Sequence, residues 1–416
     1  MKILILSINF MPELTGIGKY TGEMAEWLAA REHDVLVITA PPYYPQWRLY
    51  PGYSAARYHM EQKSNWRVIR CPLWVPRQPN PLPRILHLLS FALSSFPVLL
   101  WQSLRWRPQV ILTVEPPLVC APSALLAAAL VNAKPWLHVQ DFELDAAFKL
   151  GLLKNSWVRG WGLSVERFLL RHFDRISTIS MPMLDRLKVK GVPETKCLLF
   201  KNWVDTETIF PRQETNQYRS RLRLSPHQIA VLYAGNIGRK QGLEILLQAA
   251  SKLQDHSEIQ FVICGEGSAR ARIQAKATHL PHVHFLPLQP VEQLNELLNL
   301  ADIHLLIQRA ESSEVVMPSK LTGMLASGRS IVATTENHSP VSDIVQQCGR
   351  VVPPDNPDRL ASAILELASD PEMRTRLGKV ARAYAAEHLH CENVLVQFED
   401  NLKKCCYASL PPQDLT

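Results

Sequence analysis

The chain has 416 residues, of which 47% are hydrophobic and 20% charged. This length predicts two or three domains, and the composition indicates folded domains with large cores and excludes a disordered or fibrous chain. The 8 cysteines include no CxxC pair, which predicts neither a zinc site nor a disulfide framework. We therefore expect no metal site and a reduced, cytoplasmic compartment.

Positive charge is concentrated in the first half of the chain. Residues 1–205 carry 24 basic and 15 acidic side chains, whereas residues 206–416 carry 21 and 23. The basic half is predicted to meet a negative partner, either an anionic membrane surface or a phosphorylated substrate. A nucleic-acid partner is not predicted, because no Lys/Arg-rich run or base-stacking motif accompanies this charge.

Two uncharged stretches, residues 85–104 and 116–133, raise the question of a membrane span. Both are interrupted by polar residues or prolines, whereas a spanning helix needs about 20 predominantly apolar residues. We favour helices packed on a sheet, and a membrane helix at Ile85–Leu104 stays the alternative. The short apolar run at the start, Ile3–Leu6, is not predicted to be an export signal.

Short apolar strands alternate with glycine loops and helices along both halves, and a polar connector at 202–218 separates them. This order is typical of doubly wound parallel α/β sheets. A Pro-rich stretch at 41–83 is predicted to be a long ordered loop that serves a site. The strands are predicted at 2–8, 35–39, 110–114, 136–139, 175–179, 230–234, 260–264, 284–286, 303–307 and 330–334.

The predicted fold class is therefore α/β, with two Rossmann-like doubly wound parallel-sheet domains. We predict one domain at 1–205 and a second at 206–390. A last long helix over about 371–405 is predicted to reach back toward the first domain, with residues 391–416 as the C-terminal helix and tail. Two such sheets facing a central cleft would hold ligands in that cleft, as clefts between domains commonly do.

Two glycine loops join a predicted strand to a predicted helix. In Gly16-Ile17-Gly18 the bare backbone allows N–H groups to approach a ligand, although a plain tight turn is equally open. The loop lacks the third glycine and the later acidic residue of a dinucleotide fingerprint. In Gly235–Gly242, the adjacent cations Arg239 and Lys240 could meet a diphosphate, and the amide of Asn236 could bond a ligand.

The segment after the strand at 303–307 combines acids, a hydroxyl and a cation. Ser319 and Lys320 lie near a predicted helix start, an arrangement that suits a phosphate. A carboxylate of this segment could bond sugar hydroxyls, and Glu314 is the first candidate, with Glu311 as the alternative. Both acids could equally serve only to complement the helix dipole.

A series of short motifs follows one another along nearly the whole chain: Arg31–Val35, Asn202–Asp205 with Phe210 and Pro211, Tyr233–Leu243, Cys264–Gly267, Met317–Thr322 and Met324–Arg329. In this order and spacing they resemble the motifs of the retaining glycosyltransferases of family 4, which have the two-domain GT-B architecture. The nearest branch is the colanic-acid-type transferases of bacterial exopolysaccharide synthesis.

The resemblance implies a sugar transferred with retention from a nucleotide-sugar, such as a GDP- or UDP-sugar, to a lipid-linked saccharide. It implies no metal and no cofactor, and a location on the inner face of the cytoplasmic membrane. The donor residues are expected in the second domain and the acceptor residues in the first. Expected catalytic residues are Glu314, Lys320 and Asp141; expected donor-binding residues are Asn236, Arg239, Lys240, Gly265, Glu266, Leu286 and Ser319; expected acceptor-binding residues are Gly16, Gly18 and Lys19.

The chain departs from the family pattern at four points. Asn236 stands where the family has an Arg, Gln241 where it has a Lys, and Gly323 where it has a second Glu. Val114–Pro117 also takes the place of a His found in many members. Two alternatives follow: an epimerase or phosphorylase of the same shape, and an inactive scaffold in a polysaccharide assembly complex.

Overall fold

The computed structural model of the protein describes residues 1–63, 66–77, 80–145, 156–212, 216–238, 241–310 and 317–407. The chain forms two compact units. The first contains residues 1–201 and the C-terminal segment from Leu395, and the second contains Asn202–Val394. Each unit is an α/β sheet of the predicted kind.

The first unit contains an eight-stranded sheet of order β3-β4-β2-β1-β5-β6-β7-β8. Its strands are parallel, apart from β3, which pairs antiparallel with β4. The strands are β1 Lys2–Leu6, β2 Asp34–Thr39, β3 His59–Gln62, β4 Trp66–Arg70, β5 Val110–Glu115, β6 Lys134–Val139, β7 Arg175–Thr178 and β8 Cys197–Leu199. The helices are α1 Gly16–Ala30, α2 Pro81–Trp106, α3 Ala121–Val131, α4 Ser156–His172 and α5 Met181–Val189.

The second unit contains a six-stranded parallel sheet of order β11-β10-β9-β12-β13-β14. Its strands are β9 Ile229–Ala234, β10 Ile259–Cys264, β11 Val283–Leu286, β12 Ile303–Ile307, β13 Ser330–Thr334 and β14 Gly349–Val352. Its helices are α6 Gln217–Arg221, α7 Glu244–Lys252, α8 Arg270–Lys276, α9 Leu294–Leu298, α10 Lys320–Ala326, α11 Pro340–Cys348, α12 Pro357–Ser369 and α13 Pro371–His388. The central strands are buried on both faces, so their side chains form apolar runs.

Two predicted elements are wrong in detail. The stretch 41–83 is not one loop, because it contains the edge hairpin β3–β4 and the start of α2. The last helix is two helices: α13 ends at His388 and α14 runs over Cys391–Tyr407. The break occurs where His390 forms a β-bridge with Val204, which requires extended backbone between the two helices.

Helix α14 contributes its residues from Leu395 onward to the first unit. The Phe398 ring stacks on Phe200 with 4.0 Å between centroids and meets the edge of Trp136 at 5.3 Å. Glu399 is buried and accepts hydrogen bonds from Arg31 Nε at 3.0 Å and, at 2.8 Å, pairs with His33 Nε2. The first unit therefore needs the end of the chain to complete its core.

Helix α2 packs only one of its faces on the first unit. Leu88, Phe91 and Leu99 join the core, whereas Leu93 and Trp101 are 74% and 62% exposed. In the part of the chain that the structure describes, Leu82–Trp106 is the one helix long and apolar enough to cross a membrane, by length and composition. Helix α2 thus presents a large apolar surface.

Candidate functional site

The strand order of the second unit places a switch point between β9 and β12. The chain leaves β9 toward β10 on one side, and the connections on the other side lead through β12 and β13. Ligands of open α/β sheets bind outside the carboxyl ends of the strands at such a point. The loops after β9 and β10 and the segment that leads into α10 all follow carboxyl ends of strands at this edge.

The glycine loops after β9 and β10, which begin at Gly235 and Gly265, are in direct backbone contact. Gly235 N donates to Cys264 O at 2.9 Å, and Ile237 N donates to Glu266 O at 2.8 Å. A Cβ atom on Gly265, whose φ is +145°, would overlap the carbonyl oxygen of Gly235. The absence of side chains therefore lets two loops interlock into one surface of bare backbone.

Lys320 lies against this backbone surface. Its Nζ is 4.2 Å from the centroid of the Tyr233 ring and 3.9 Å from the point where a Cβ of Gly235 would stand. The Tyr233 hydroxyl donates to Asn236 O at 2.8 Å, which holds the ring in place. Burial lowers the pKa of Lys320 to about 7. An ammonium group beside glycine backbone can bind a diphosphate, whose negative charge would restore its protonation.

Two further predicted donor residues have side chains at this surface. Asn236 is exposed, and its amide oxygen lies 2.5 Å from the point where a Cβ of Gly267 would stand, so it lies beside both loops. The Glu266 carboxylate is exposed and accepts from Arg270 Nη1 at 2.8 Å. A ribose contact by Glu266 would share its carboxylate with Arg270.

The structure connects Leu286 to the site through its backbone and places Ser319 directly before Lys320 at the start of α10. The Leu286 side chain lies in the core, while its carbonyl accepts from Gly265 N at 3.2 Å. Ser319 is the residue before α10, and its carbonyl accepts from Thr322 Oγ1 at 2.9 Å. Arg239, Lys240, Glu311 and Glu314 lie outside the described residues, and their roles stay predictions.

The predicted acceptor residues lie at the start of α1 in the first unit. Gly16 is the first residue of the helix, and Gly18 packs directly on the Glu13 side chain. Lys19 Nζ lies 3.5 Å from Glu23 Oε1 and 4.6 Å from the Tyr20 ring centroid. The bare backbone of Gly18 thus serves packing against Glu13, which the sequence pattern did not predict.

Glu13 is a buried carboxylate that organises this loop. Its Oε1 accepts from Tyr43 N and Tyr44 N, both at 2.9 Å, and its Oε2 accepts from Asn9 Nδ2 at 2.9 Å. Burial raises the pKa of Glu13, although these donors oppose the shift. The residue was missed because Tyr43 and Tyr44, whose N–H groups donate to it, are about 30 positions away in the sequence.

Asp141 follows β6 in the first unit and is partly buried. The neighbouring Glu143 accepts from Leu118 N at 3.0 Å, and burial raises its pKa. Glu115, at the end of β5, has both carboxylate oxygens buried, with no hydrogen-bond partner among the described residues. Burial, with the charges of Glu143 and Glu166, raises the pKa of Glu115. Asp141 is therefore part of a group of acids, not a single polar residue.

Two family descriptions match the chain. "Glycosyl transferase 4-like domain" matches residues 15–203, and "Glycosyl transferases group 1" matches residues 214–384. The chain belongs to the family 4 glycosyltransferases and has the GT-B fold. It is 42% identical over 413 residues to WcaI of Escherichia coli (strain K12), which bears the name of a colanic acid biosynthesis glycosyl transferase, covering 97% of this chain and 100% of the relative.

More distant relatives and solved structures agree with this class. The chain is 29% identical to the alpha-D-kanosaminyltransferase of Streptomyces kanamyceticus, over 52% of this chain and 58% of the relative. It shares the fold of the sucrose-phosphate synthase of Thermosynechococcus elongatus, with a TM-score of 0.76, 18% identity and coverage of 98% and 100%. It also shares the fold of HepE of Anabaena in complex with UDP-glucose, with a TM-score of 0.69 and 15% identity, covering 97% of this chain and 100% of that one.

The protein is thus a glycosyltransferase that uses a nucleotide-sugar donor and a saccharide acceptor. The alternatives raised from the sequence, an epimerase or phosphorylase and an inactive scaffold, are not favoured. Within the described ranges, no group of three or more His, Cys, Asp or Glu residues is placed to hold a metal ion.

The pKa of Lys320 predicts a pH dependence of donor binding. Because the free enzyme has a pKa of about 7 at Lys320, raised by the bound diphosphate, binding takes up a proton and the affinity falls as pH rises above 7, by at most about tenfold per unit. Titration calorimetry in buffers of different ionisation enthalpy measures the uptake. The Lys320→Arg variant, whose guanidinium stays charged, should bind the donor without taking up a proton. A wild-type affinity that does not change between pH 6.5 and pH 8.5 would contradict the prediction.

Proposed function

We propose that the enzyme transfers a sugar, with retention and without a metal or cofactor, to a lipid-linked saccharide in the synthesis of a colanic-acid-like exopolysaccharide. The observation that carries the proposal is Lys320 beside the interlocked glycine loops, which supports a diphosphate leaving group. WcaI, 42% identical along its whole length, supports the pathway by its name. The site of action is the cytoplasmic side of the membrane.

The chemistry follows from where charge develops. Cleavage of the sugar–phosphate bond places negative charge on the leaving diphosphate, which Lys320 and the N–H groups of the glycine loops would stabilise. Arg239 or Lys240 would add a second cation. Glu314, or Glu311 in its place, would bond donor hydroxyls, and Asp141 would contact the acceptor from the first unit. The leaving phosphate itself would take the acceptor proton on the face it leaves.

Two measurements test this function. A thermal-shift screen of GDP-, UDP-, CDP- and ADP-sugars identifies the donor, since a ligand at 100 times its Kd adds roughly 2.7 kcal/mol to stability. Transfer of the labelled sugar to a lipid-linked saccharide, compared with transfer to water, then tests the acceptor. Sugar released only as free sugar or sugar phosphate would contradict the transferase.

A membrane surface is the partner that the exposed face of α2 supports. Eight large apolar side chains on this helix are 37–74% exposed: Leu82, Ile85, Leu86, Leu89, Leu93, Phe96, Trp101 and Leu104. Arg105 and Arg107 are exposed at its end, and a basic residue near anionic lipid gains about 1 kcal/mol. Apolar insertion supported by basic charge is typical of peripheral membrane helices.

We expect the protein to sediment with anionic vesicles at low salt and to be released at high salt. Leu93→Ser combined with Trp101→Ser should weaken this binding at least about tenfold, because each removes apolar area that lipid would bury. Val189→Ser, which changes a residue of α5 that is 70% exposed, is the matched control. No binding at low salt would contradict the peripheral arrangement, and binding that survives alkaline wash would favour a spanning helix at Ile85–Leu104.

A further inference from the structure

The second unit contains a cavity of about 500 Å³ at the edge opposite the donor loops. Asp302 and Arg329, which directly precede β12 and β13, line one wall, and residues of α13 from Pro371 to Ala386 line another. The donor loops follow the carboxyl ends of strands, whereas this cavity lies at the amino ends. A strand of five residues separates the two edges by about 16 Å.

Cationic side chains dominate the described lining of this cavity. Asp302 is the one carboxylate among the described lining residues. It already accepts hydrogen bonds from Arg219 Nη1 at 3.0 Å and from Ala230 N at 2.8 Å. Glu296 Oε2 also lies 3.9 Å from Arg212 Nη1, so Arg212 is partly neutralised, whereas most of the remaining positive charge is not. The cations are Arg212, Arg329, Arg374, Lys379 and Arg382.

Backbone carbonyls hold three of these guanidinium groups in place. Arg329 donates to Arg212 O at 2.8 Å, Arg374 to Ala368 O at 2.7 Å, and Arg382 to Thr206 O at 2.7 Å. A carbonyl orients a guanidinium without cancelling its charge. Among the described residues, none of these three arginines has a carboxylate oxygen within 4 Å, and the Nε of Arg329 is buried without a hydrogen-bond partner.

This arrangement carries an electrostatic cost. Burial lowers the pKa values of Arg329, Arg374 and Arg382, because each charge has lost water without gaining a full counter-charge. The carboxylate of Asp302 offsets this only in part for Arg329, and the carboxylates of Asp302 and Asp370 offset it only in part for Arg374. The desolvation cost of buried cations is offset when an anion pairs with them. Guanidinium forks match the oxygen geometry of phosphate, and Lys379 adds an exposed ammonium at the same wall.

We propose that this cavity is a second anion site, which binds the phosphate group of a phosphorylated ligand independently of the sugar donor. The exposed Lys379 ammonium is the group that contacts the phosphate, while the guanidinium groups of Arg329, Arg374 and Arg382 supply positive potential along the wall. The phosphate could belong to a soluble sugar phosphate or to a lipid headgroup, since both present the same oxygens.

Equilibrium dialysis of labelled pyrophosphate against Lys320→Ala protein tests the proposal, because this variant weakens the donor site. We expect one saturable site in Lys320→Ala, weakened at least tenfold by adding Lys379→Glu. Arg376→Glu, an exposed change on the same helix outside the cavity, is the matched control and should change affinity less than twofold. Circular dichroism of both variants checks the fold.

Competition identifies the source of the phosphate. Displacement by glucose 6-phosphate supports a soluble ligand, and displacement by phosphatidic acid vesicles but not by phosphatidylcholine vesicles supports a headgroup. Either result supports the site when it depends on Lys379. No saturable binding up to 10 mM, or equal effects of Lys379→Glu and Arg376→Glu, would overturn the proposal, and neither result bears on transfer at the donor site.

Discussion

Replacing Lys320 by alanine is expected to lower kcat/KM by about 10²–10³, the usual effect of removing one preorganised group that stabilises transition-state charge. The ammonium lies 4.2 Å from the Tyr233 ring centroid and beside Gly235, whose lack of a side chain would let a diphosphate approach it. Initial rates of nucleotide release with the donor found in the thermal-shift screen give kcat/KM.

The matched control for this change is Lys276→Ala, which removes an exposed ammonium from α8. It should leave kcat/KM within twofold of the wild type. Lys320→Ala should also keep its circular dichroism spectrum, since the side chain holds no ion pair among the described residues. A Lys320→Ala enzyme within twofold of wild type would exclude Lys320 from the site, and Arg239→Ala and Lys240→Ala, made separately, would then locate the cation.

Gly265→Ala is expected to destabilise the second unit by about 3–5 kcal/mol, the combined cost of overpacking and of a strained backbone conformation. The new methyl group would overlap the carbonyl oxygen of Gly235, which belongs to backbone and cannot rotate away as a side chain could. Donor binding should be lost with stability, because the two loops can no longer interlock. Urea unfolding followed by fluorescence measures the change.

Gly52→Ala separates the two parts of this cost. Gly52 also has a positive φ, +86°, but no atom lies within 4 Å of the position of its Cβ. It should therefore lose only the conformational part, about 1 kcal/mol. If Gly265→Ala were no worse than Gly52→Ala, the contact between the loops would be looser than the structure indicates.

The central strands could be predicted because burial on both faces leaves a simple signal in the sequence. Ile303–Ile307 and Ser330–Thr334 were predicted residue for residue, since apolar runs ended by polar residues define them. The edge strand His59–Gln62 was missed: its side chains are mostly exposed, so the sequence carries neither an apolar run nor an alternation. Proline-rich neighbours concealed its partner Trp66–Arg70.

The site could be predicted as far as topology determines it. Parallel strands bring their carboxyl ends to one edge, so Gly235, Gly265 and Lys320 could be assigned to a common site from strand order. The Tyr233 ring beside Lys320 depends on side-chain packing, for which no sequence spacing gives a rule. The same holds for the hydrogen bonds from Arg270 to Gly265 O and to the Glu266 carboxylate. Gln241 was noted only as a departure from the family, yet its buried amide oxygen has no partner among the described residues.

The attachment of α14 to the first unit has a consequence for biosynthesis. A ribosome releases residues 1–201 long before it has made Phe398 and Glu399, which stack on Phe200 and pair with His33 in the finished protein. During that interval Phe200 and Trp136 lack their aromatic partner, and apolar surface exposed on a nascent chain promotes aggregation. The second unit, Asn202–Val394, is continuous in sequence and can fold as it emerges. The half of the enzyme that is translated first is therefore the half that is completed last.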